Sequence, residues 1–346
     1  MQTLKNTLAR ICSISAARLR LCVELAHRES KKPKLFIFLD MAYCYLRYGA
    51  GYFDYYTFGF AFIGAARRKT FMTMNQNLSL VRRLNSLSHR ALLDDKTEFN
   101  RLFAGQLGRE WLDLGKADSD DFERFLKGKR CVFAKMVDQY GGKGIERVDV
   151  DAEKDVSSLF DRLTAAGMYC VEDEIIQHPE MYWLSDSSVN SIRITTLEKG
   201  GEIHVMYALV RMSDGSGYVD NISSGGMFCP LDENGVITAD AFCDSTGEYY
   251  KKHPKTGQVF EGFRIPYFHE ALELVRIAAQ RVPEIRYVGW DVAVTEKGPV
   301  LIEGNVIPGY DICQNHRHIG PGMTGILPKF KAVLKDEFRQ GVPARA

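Results

Sequence analysis

Two apolar runs joined by a short turn constrain this chain more than any other stretch. Arg286 to Val294 reads Arg-Tyr-Val-Gly-Trp-Asp-Val-Ala-Val, and Pro299 to Gly309 reads Pro-Val-Leu-Ile-Glu-Gly-Asn-Val-Ile-Pro-Gly, with Glu296-Lys297-Gly298 between them. Val292, Val294, Val300 and Ile302 alternate with other residues, as buried strands do, and the turn residues close the runs into an antiparallel hairpin. On this reading Asp291 opens the first strand and Glu303 closes the second, so folding brings both carboxylates to one end of the sheet. Asn305, two residues beyond Glu303, leaves on the same face because strand side chains alternate. Two carboxylates and an amide oxygen make a hard, all-oxygen donor set, suited to Mg²⁺ or Mn²⁺ that keeps other positions for water and phosphate. Capping of strand ends is the competing role for such acids. A carboxylate flanked by Leu301 and Ile302 in a buried strand nevertheless needs a compensating charge.

Upstream, residues suited to an anion recur in order. Asp94-Asp95-Lys96 opens a helix that continues through Phe99, Phe103 and Leu107. A lysine in a first turn opposes the helix dipole unless an anion sits above it. Cys131–Val137 reads as a buried strand interrupted by Lys135, whose ammonium wants a counter-charge. Tyr140-Gly141-Gly142-Lys143-Gly144-Ile145 follows as a glycine-rich turn between strands, where backbone N–H groups converge on phosphate oxygens without Cβ interference. It is neither a Walker A sequence nor a strand-to-helix dinucleotide fingerprint. Met168–Ile176 reads as a strand carrying Glu172, Asp173, Glu174 and Ile175. Arg193 and Arg211 lie on two strands paired as a hairpin, where they hold phosphate or bridge a carboxylate across the sheet. The polar turn Asp220–Gly226, with Asn221, Ser224 and Gly225, and the cluster after the hairpin, from Gly309 through Gln314 to His318, supply candidate substrate contacts. His316 and His318 lack the cysteine pairs or HExxH spacing of a zinc site.

Lys96, Lys135, the Gly141–Gly144 loop, Glu172, Asp291 and Glu303-Gly304-Asn305 resemble, in order and spacing, the nucleotide and metal site of the ATP-grasp ligases. Ser188-Val189-Asn190-Ser191-Ile192-Arg193, Asp220-Asn221 with Gly225-Gly226, and the aromatic N-terminal region with Gly49-Ala50-Gly51 are similar to the sugar-transfer-associated group of that superfamily. The resemblance covers roughly residues 90–330. It implies an α+β ATP-grasp fold, with ATP held between two α+β lobes, after a helical, aromatic-rich N-terminal region. Expected divisions are 1–90 for that region, 91–180 for the lobe with the glycine loop, 181–330 for the lobe with the metal hairpin and 331–346 for a tail. Lys96 and Lys135 then face the phosphates, the loop folds over the triphosphate, and the backbone around Glu172 and Ile175 pairs with adenine. Which of Glu172, Asp173 and Glu174 takes the ribose stays open.

Asp291, Glu303 and Asn305 hold Mg²⁺ on this resemblance. The dipeptide-ligase branch keeps an arginine two residues before the metal aspartate; here that residue is Gly289, so the oxyanion donor is Arg193 or Arg211. The implied activity is ATP-dependent amide formation through an acyl phosphate, joining an amino acid or amine to a sugar carboxylate such as a uronic acid, in bacterial surface polysaccharide synthesis. A small-molecule kinase using the same nucleotide site, and a non-catalytic nucleotide-binding partner of a glycosyltransferase, are the alternatives.

With 346 residues, 45% of them hydrophobic, the chain can bury cores for two or three subdomains. Its formal charge of +1, from 45 basic and 44 acidic residues, creates no global field for nucleic acid. Eight scattered cysteines without a CxxC pair fit reduced thiols in the cytoplasm. The first 33 residues read as a basic amphipathic helix, without a signal peptide's apolar core. No segment is expected to span a membrane, and contact with its inner face is the minor alternative to a solvated helix. Twelve aromatic residues between Phe36 and Phe62 read as helices broken at Gly49-Ala50-Gly51, packing a core.

Overall fold

A computed structural model describes residues 15–137, 144–215 and 225–339. The chain divides into two units, Val81–Pro308 and the residues on either side of it. The sequence suggests breaks near 90 and 330. The chain after Pro308 lies in the first unit, where backbone bonds hold it: the His316 N–H donates to the Thr57 carbonyl at 2.8 Å and the Leu327 N–H to that of Thr70 at 3.0 Å.

In this first unit the break at Gly49 appears as expected. One helix spans Lys34–Tyr48 and ends on Gly49 at φ 74°, a left-handed conformation that glycine adopts without a Cβ clash; a second spans Tyr52–Thr57. The aromatics divide between two environments. Tyr55, Tyr56, Phe58 and Phe60 are buried, and Phe58 stacks on Phe71 with centroids 5.0 Å apart. Phe36, Phe38, Tyr43, Tyr45 and Phe62 are exposed, so the expectation that the whole stripe is core holds only from Tyr55 to Phe60.

Asp54 is buried in this unit, accepting from the Gly51 N–H at 2.9 Å and from the Tyr310 hydroxyl at 2.9 Å. Burial pushes its carboxyl from 3.8 up to about 7, against those two hydrogen bonds. A group bound more tightly to its proton when folded stabilises the fold fully below pH 3.8, and that contribution fades as pH rises to about 7. Asp54→Asn should therefore give a flatter dependence of the thermal midpoint on pH between 4 and 7 than the parent shows. Parallel curves for the two proteins in thermal scans across that window would contradict the assignment.

The larger unit builds two lobes from two separate cores. Strands β1 (Trp111–Asp113), β2 (Cys131–Lys135), β3 (Ile145–Asp149) and β4 (Cys170–Asp173) form an antiparallel sheet in the order β1-β4-β2-β3. Val132, Ala134, Val148 and Val171 pack from it against Phe122 and Leu126 of the Ser119–Leu126 helix and Leu159 and Leu163 of the Val156–Ala165 helix. Both helices start on aspartate caps: Asp118 accepts from the Asp121 N–H and Asp155 from the Ser158 N–H.

The second lobe carries β5 (Ser191–Lys199), β6 (Glu202–Met212), β7 (Met227–Pro230), β8 (Ala241–Cys243), β9 (Glu248–Tyr250), β10 (Tyr287–Thr295) and β11 (Gly298–Asn305). Their order is β11-β10-β5-β6-β7-β8-β9, antiparallel throughout. The Phe268–Gln280 helix covers this sheet with Phe268, Ala271, Val275 and Ala278, while Phe99, Phe103 and Trp290 join the same core. The 287–305 hairpin forms, but Asp291 does not open its strand. Residues from Tyr287 onward pair with β5, Tyr287 opposite Leu197 and Gly289 opposite Thr195, so the strand begins earlier and both acids sit away from its end.

Candidate nucleotide and metal site

A cleft in the larger unit is lined by Lys96 and Asn100 from the Lys96–Leu102 helix, Lys135 of β2, Glu172 of β4, and Glu303 and Asn305 of β11. Asp95 caps that helix, accepting from the Thr97 N–H at 2.8 Å and the Glu98 N–H at 3.2 Å. Lys96 thereby enters the cleft from the first turn. Burial, with Lys135 close by, holds its ammonium below the ordinary range despite Glu303 opposite. Two lysines converging in a concave site favour an anion of more than one charge.

Lys135 finds the counter-charge its strand position demands. In the β2/β4 register it lies opposite Cys170, so Glu172 is its diagonal neighbour on the same face, and its Nζ meets Oε2 at 2.5 Å. The same carboxylate accepts from Arg109 Nε at 2.9 Å and Asn100 Nδ2 at 2.8 Å. Burial alone would raise the Glu172 carboxyl; the Arg109 and Lys135 charges beside it hold it well below the usual range. Both oxygens of Glu172 thus meet protein donors.

Asp173 accepts from Lys129 at 3.1 Å and from the Glu174 N–H at 2.9 Å, while Glu174 and Ile175 stand half-buried just past the strand. Arg109 escaped the sequence reading. It carries no spacing signal, yet its guanidinium also donates to the Leu301 carbonyl at 2.7 Å and so ties β4 of one lobe to β11 of the other.

At the carboxylate end, register creates the site. Asp291 lies opposite Glu303 on one side and opposite Arg193 on the other, so three charged side chains form one row across β11, β10 and β5. Arg193 grips Asp291 with Nε at 2.5 Å and Nη2 at 3.0 Å, and Arg211 reaches the same carboxylate at 2.9 Å. Arg211 is itself braced by the Ser191 hydroxyl at 3.1 and 2.8 Å, Ser191 being its register partner. Burial opposes ionisation of Asp291, but Arg193 and Arg211 outweigh it and hold the carboxyl well below the usual range. Glu303 moves the opposite way: burial raises its carboxyl, and the Asp291 charge beside it raises it further.

The absence of a side chain at Gly289 also has a spatial consequence. A Cβ there would lie 3.3 Å from Arg193 Cδ, so glycine leaves the room that the Arg193 guanidinium uses.

The donor set fits a hard divalent cation. Glu303 and Asp291 face each other, the two arginines lowering the Asp291 carboxyl and burial raising that of Glu303. Asn305 Nδ2 lies 3.4 Å from both Asp291 Oδ2 and Glu303 Oε1. Among the described residues no cluster of three or more His, Cys, Asp and Glu side chains is placed to hold a metal. Asp291 Oδ1 accepts from Arg193, and a carboxylate oxygen has capacity for a second partner.

The remaining candidates separate. Gly141, Gly142, Lys143, Asn221 and Ser224 lie outside the described residues. Gly144 closes the loop at φ +67°, where a Cβ would stand 2.8 Å from Met136 Cγ, and its carbonyl accepts from the Met136 N–H at 2.8 Å. Gly225 is also left-handed, at φ +96°. Gly309 and Gln314 belong to the first unit. Gln314 is fully buried and donates to the Met72 and Tyr310 carbonyls at 2.9 and 2.7 Å. Its amide oxygen accepts from the Met72 and Ile326 N–H groups at 2.9 and 3.0 Å. These bonds brace a loop of the first unit. His316 likewise pairs with Glu29 at 3.2 Å, inside the same unit.

A family model described as sugar-transfer associated ATP-grasp matches residues 75–331. No curated protein matches the sequence. Similar solved structures include D-cycloserine synthetase DcsG, at 14% identity and TM-score 0.45 over 76% of this chain and 79% of that one. The ATP-grasp ligase PsnB complexed with minimal precursor follows at 15% identity and TM-score 0.44, over 72% of this chain and 64% of that one. D-alanine–D-alanine ligase from Bacillus anthracis shows 12% identity and TM-score 0.41, over 72% and 66%. The chain therefore spans less than two thirds of the length of the PsnB ligase.

Proposed function

The chain belongs to the sugar-transfer associated ATP-grasp family, and from that membership we propose that it is an ATP-dependent ligase joining a carboxylate to an amine through an acyl phosphate. The observation that carries the reading is the cleft itself, in which Lys96 and Lys135 converge from one side and Glu303 and Asn305 from the other. Asp291 stands beside Glu303 with Arg193 and Arg211 on its far side. Lys96 and Lys135 hold the polyphosphate, and Lys135 exchanges part of its bond to Glu172 for phosphate oxygen.

Asp291, Glu303 and Asn305 would hold Mg²⁺, which when bound neutralises charge on the terminal phosphates. A substrate carboxylate oxygen then attacks the γ-phosphorus as the bond to the β-phosphate oxygen breaks, releasing ADP. The amine nitrogen attacks the acyl carbon of the resulting acyl phosphate, and the carbon–oxygen bond to phosphate breaks with its electrons. Arg193, fixed by Asp291, donates to the tetrahedral oxyanion, which is worth most in a dry cleft. No enzyme nucleophile is needed. The substrate class we favour is a sugar carboxylate of uronic acid type joined to an amino acid or amine, in cytoplasmic steps of bacterial surface polysaccharide synthesis. The family description supports it.

The test is phosphate release from Mg-ATP across pooled uronic acids and amino acids, with hydroxylamine to trap an acyl phosphate. Hydroxamate that disappears in Asp291→Ala is the expected result. A phosphorylated acceptor that survives hydroxylamine would make the protein a kinase, and ATP binding without turnover a nucleotide-binding partner.

A further inference from the structure

The Lys34–Tyr48 helix carries a face that water-soluble helices do not expose. It buries Ile37, Met41 and Cys44 against its unit. Around the rest of its circumference stand Leu35, Phe36, Phe38, Leu39, Tyr43, Tyr45 and Leu46, between 39% and 73% exposed. A helix apolar all round is ordinarily buried, and an exposed patch of this kind marks a contact surface. The sole charged residue between Lys34 and Arg47 is Asp40, and its carboxylate is turned onto Arg68 at 2.6 Å and the Tyr55 hydroxyl at 2.8 Å. Nothing ionic interrupts the apolar face.

Charge at the ends of that face identifies what it meets. Lys31, Lys32 and Lys34 precede it and Arg47 closes it. The Lys32 ammonium sits 5.5 Å from the Phe36 ring centroid and the Arg47 guanidinium 5.6 Å from that of Tyr48. Residues 15–80 hold ten lysines and arginines against four acids, a formal excess of six. Each of those acids is engaged: Glu24 by Lys34, Glu29 by Arg317, Asp40 by Arg68 and Asp54 by Tyr310. A second copy is a poor occupant, since packing this face on itself in either direction sets basic ends against basic ends. Interfacial helices with aromatic and leucine contacts rimmed by lysine and arginine lie in the headgroup layer of anionic bilayers.

We propose that the Lys34–Tyr48 helix docks the protein on the surface of a membrane containing anionic lipid. The helix lies in the plane and does not cross. Its 15 residues reach about 22 Å, short of a hydrocarbon core of about 30 Å, and no described helix is long and apolar enough to span. The docking face belongs to the first unit and is independent of the ligase reading.

Flotation of the full chain with vesicles tests it, comparing phosphatidylcholine alone with phosphatidylcholine mixed with phosphatidylglycerol. Binding to the mixed vesicles is expected, weakening with salt. Leu39→Glu with Leu46→Glu should reduce it about tenfold for each leucine withdrawn from the bilayer, and Arg47→Gln about fivefold. The thermal midpoint should hold, since all three side chains are exposed. No flotation with either vesicle would overturn the proposal, as would flotation undiminished in the leucine pair variant. Sedimentation velocity showing a dimer that the pair variant dissolves would assign the face to a second copy instead.

Discussion

Glu172→Ala is expected to destabilise the protein by about 3–5 kcal/mol, the range for removing one partner of a buried ion pair. The Glu172 and Arg109 side chains are 3% and 2% exposed, and Lys135 is 13% exposed. Deleting the carboxylate removes the one charge that Arg109 and Lys135 share, leaving Arg109 with the Leu107 and Leu301 carbonyls and Lys135 beside Lys96 in the cleft. Urea unfolding measures the loss. Saturating Mg-ATP should raise the variant's midpoint more than the parent's, because phosphate restores the negative charge that Lys135 has lost. A loss below about 1 kcal/mol, the scale of exposed pairs, would show that water already screens this site.

Arg193→Lys should lower the turnover number of the ligation assay about a hundredfold to a thousandfold, the cost of losing one preorganised oxyanion donor, with ATP affinity nearly unchanged. The charge persists, but an ammonium cannot bond both Asp291 oxygens as the guanidinium does at 2.5 and 3.0 Å. Asp291 then keeps the Arg211 bond to Oδ2 and loses one of its two bonds to residue 193. Single-turnover kinetics with a nucleotide-binding isotherm separate the two effects. Unchanged turnover here with a collapse in Arg211→Lys would transfer the oxyanion role to Arg211.

What the sequence disclosed and what it concealed follow from distance along the chain. The 287–305 hairpin was legible because its alternation, its turn and both acids fall within one short window. Lys135 advertised its need for an anion from its own strand. That Glu172 answers it was hidden, because the pair lies 37 residues apart and meets only once β2 is known to lie beside β4. Local reading therefore kept Glu172 as an adenine-pocket candidate and left open which neighbouring acid takes the ribose. Arg109 sits in a short connection with no periodicity to mark it.

Composition misled at the aromatic stripe, since Phe38 and Tyr55 look alike in a list of rings. Only the packing of Ile37, Met41 and Cys44 shows which side of the helix turns inward. Gln314 stood in a polar cluster that resembled a binding loop, and its bonds to the distant backbone of Met72 were beyond any sequence window.

The pairing of β10 with β5 also sets a timetable. Arg193 and Asp291 are 98 residues apart, so while the chain is being synthesised the β5/β6 hairpin must wait, one edge unpaired, until the last two strands emerge. Pairings of such separation are slow to form, and open edges invite the wrong neighbour. The charged row that makes the site is therefore among the last features the nascent chain can complete, and a chain halted before residue 287 would present a buried-strand arginine with no carboxylate to receive it.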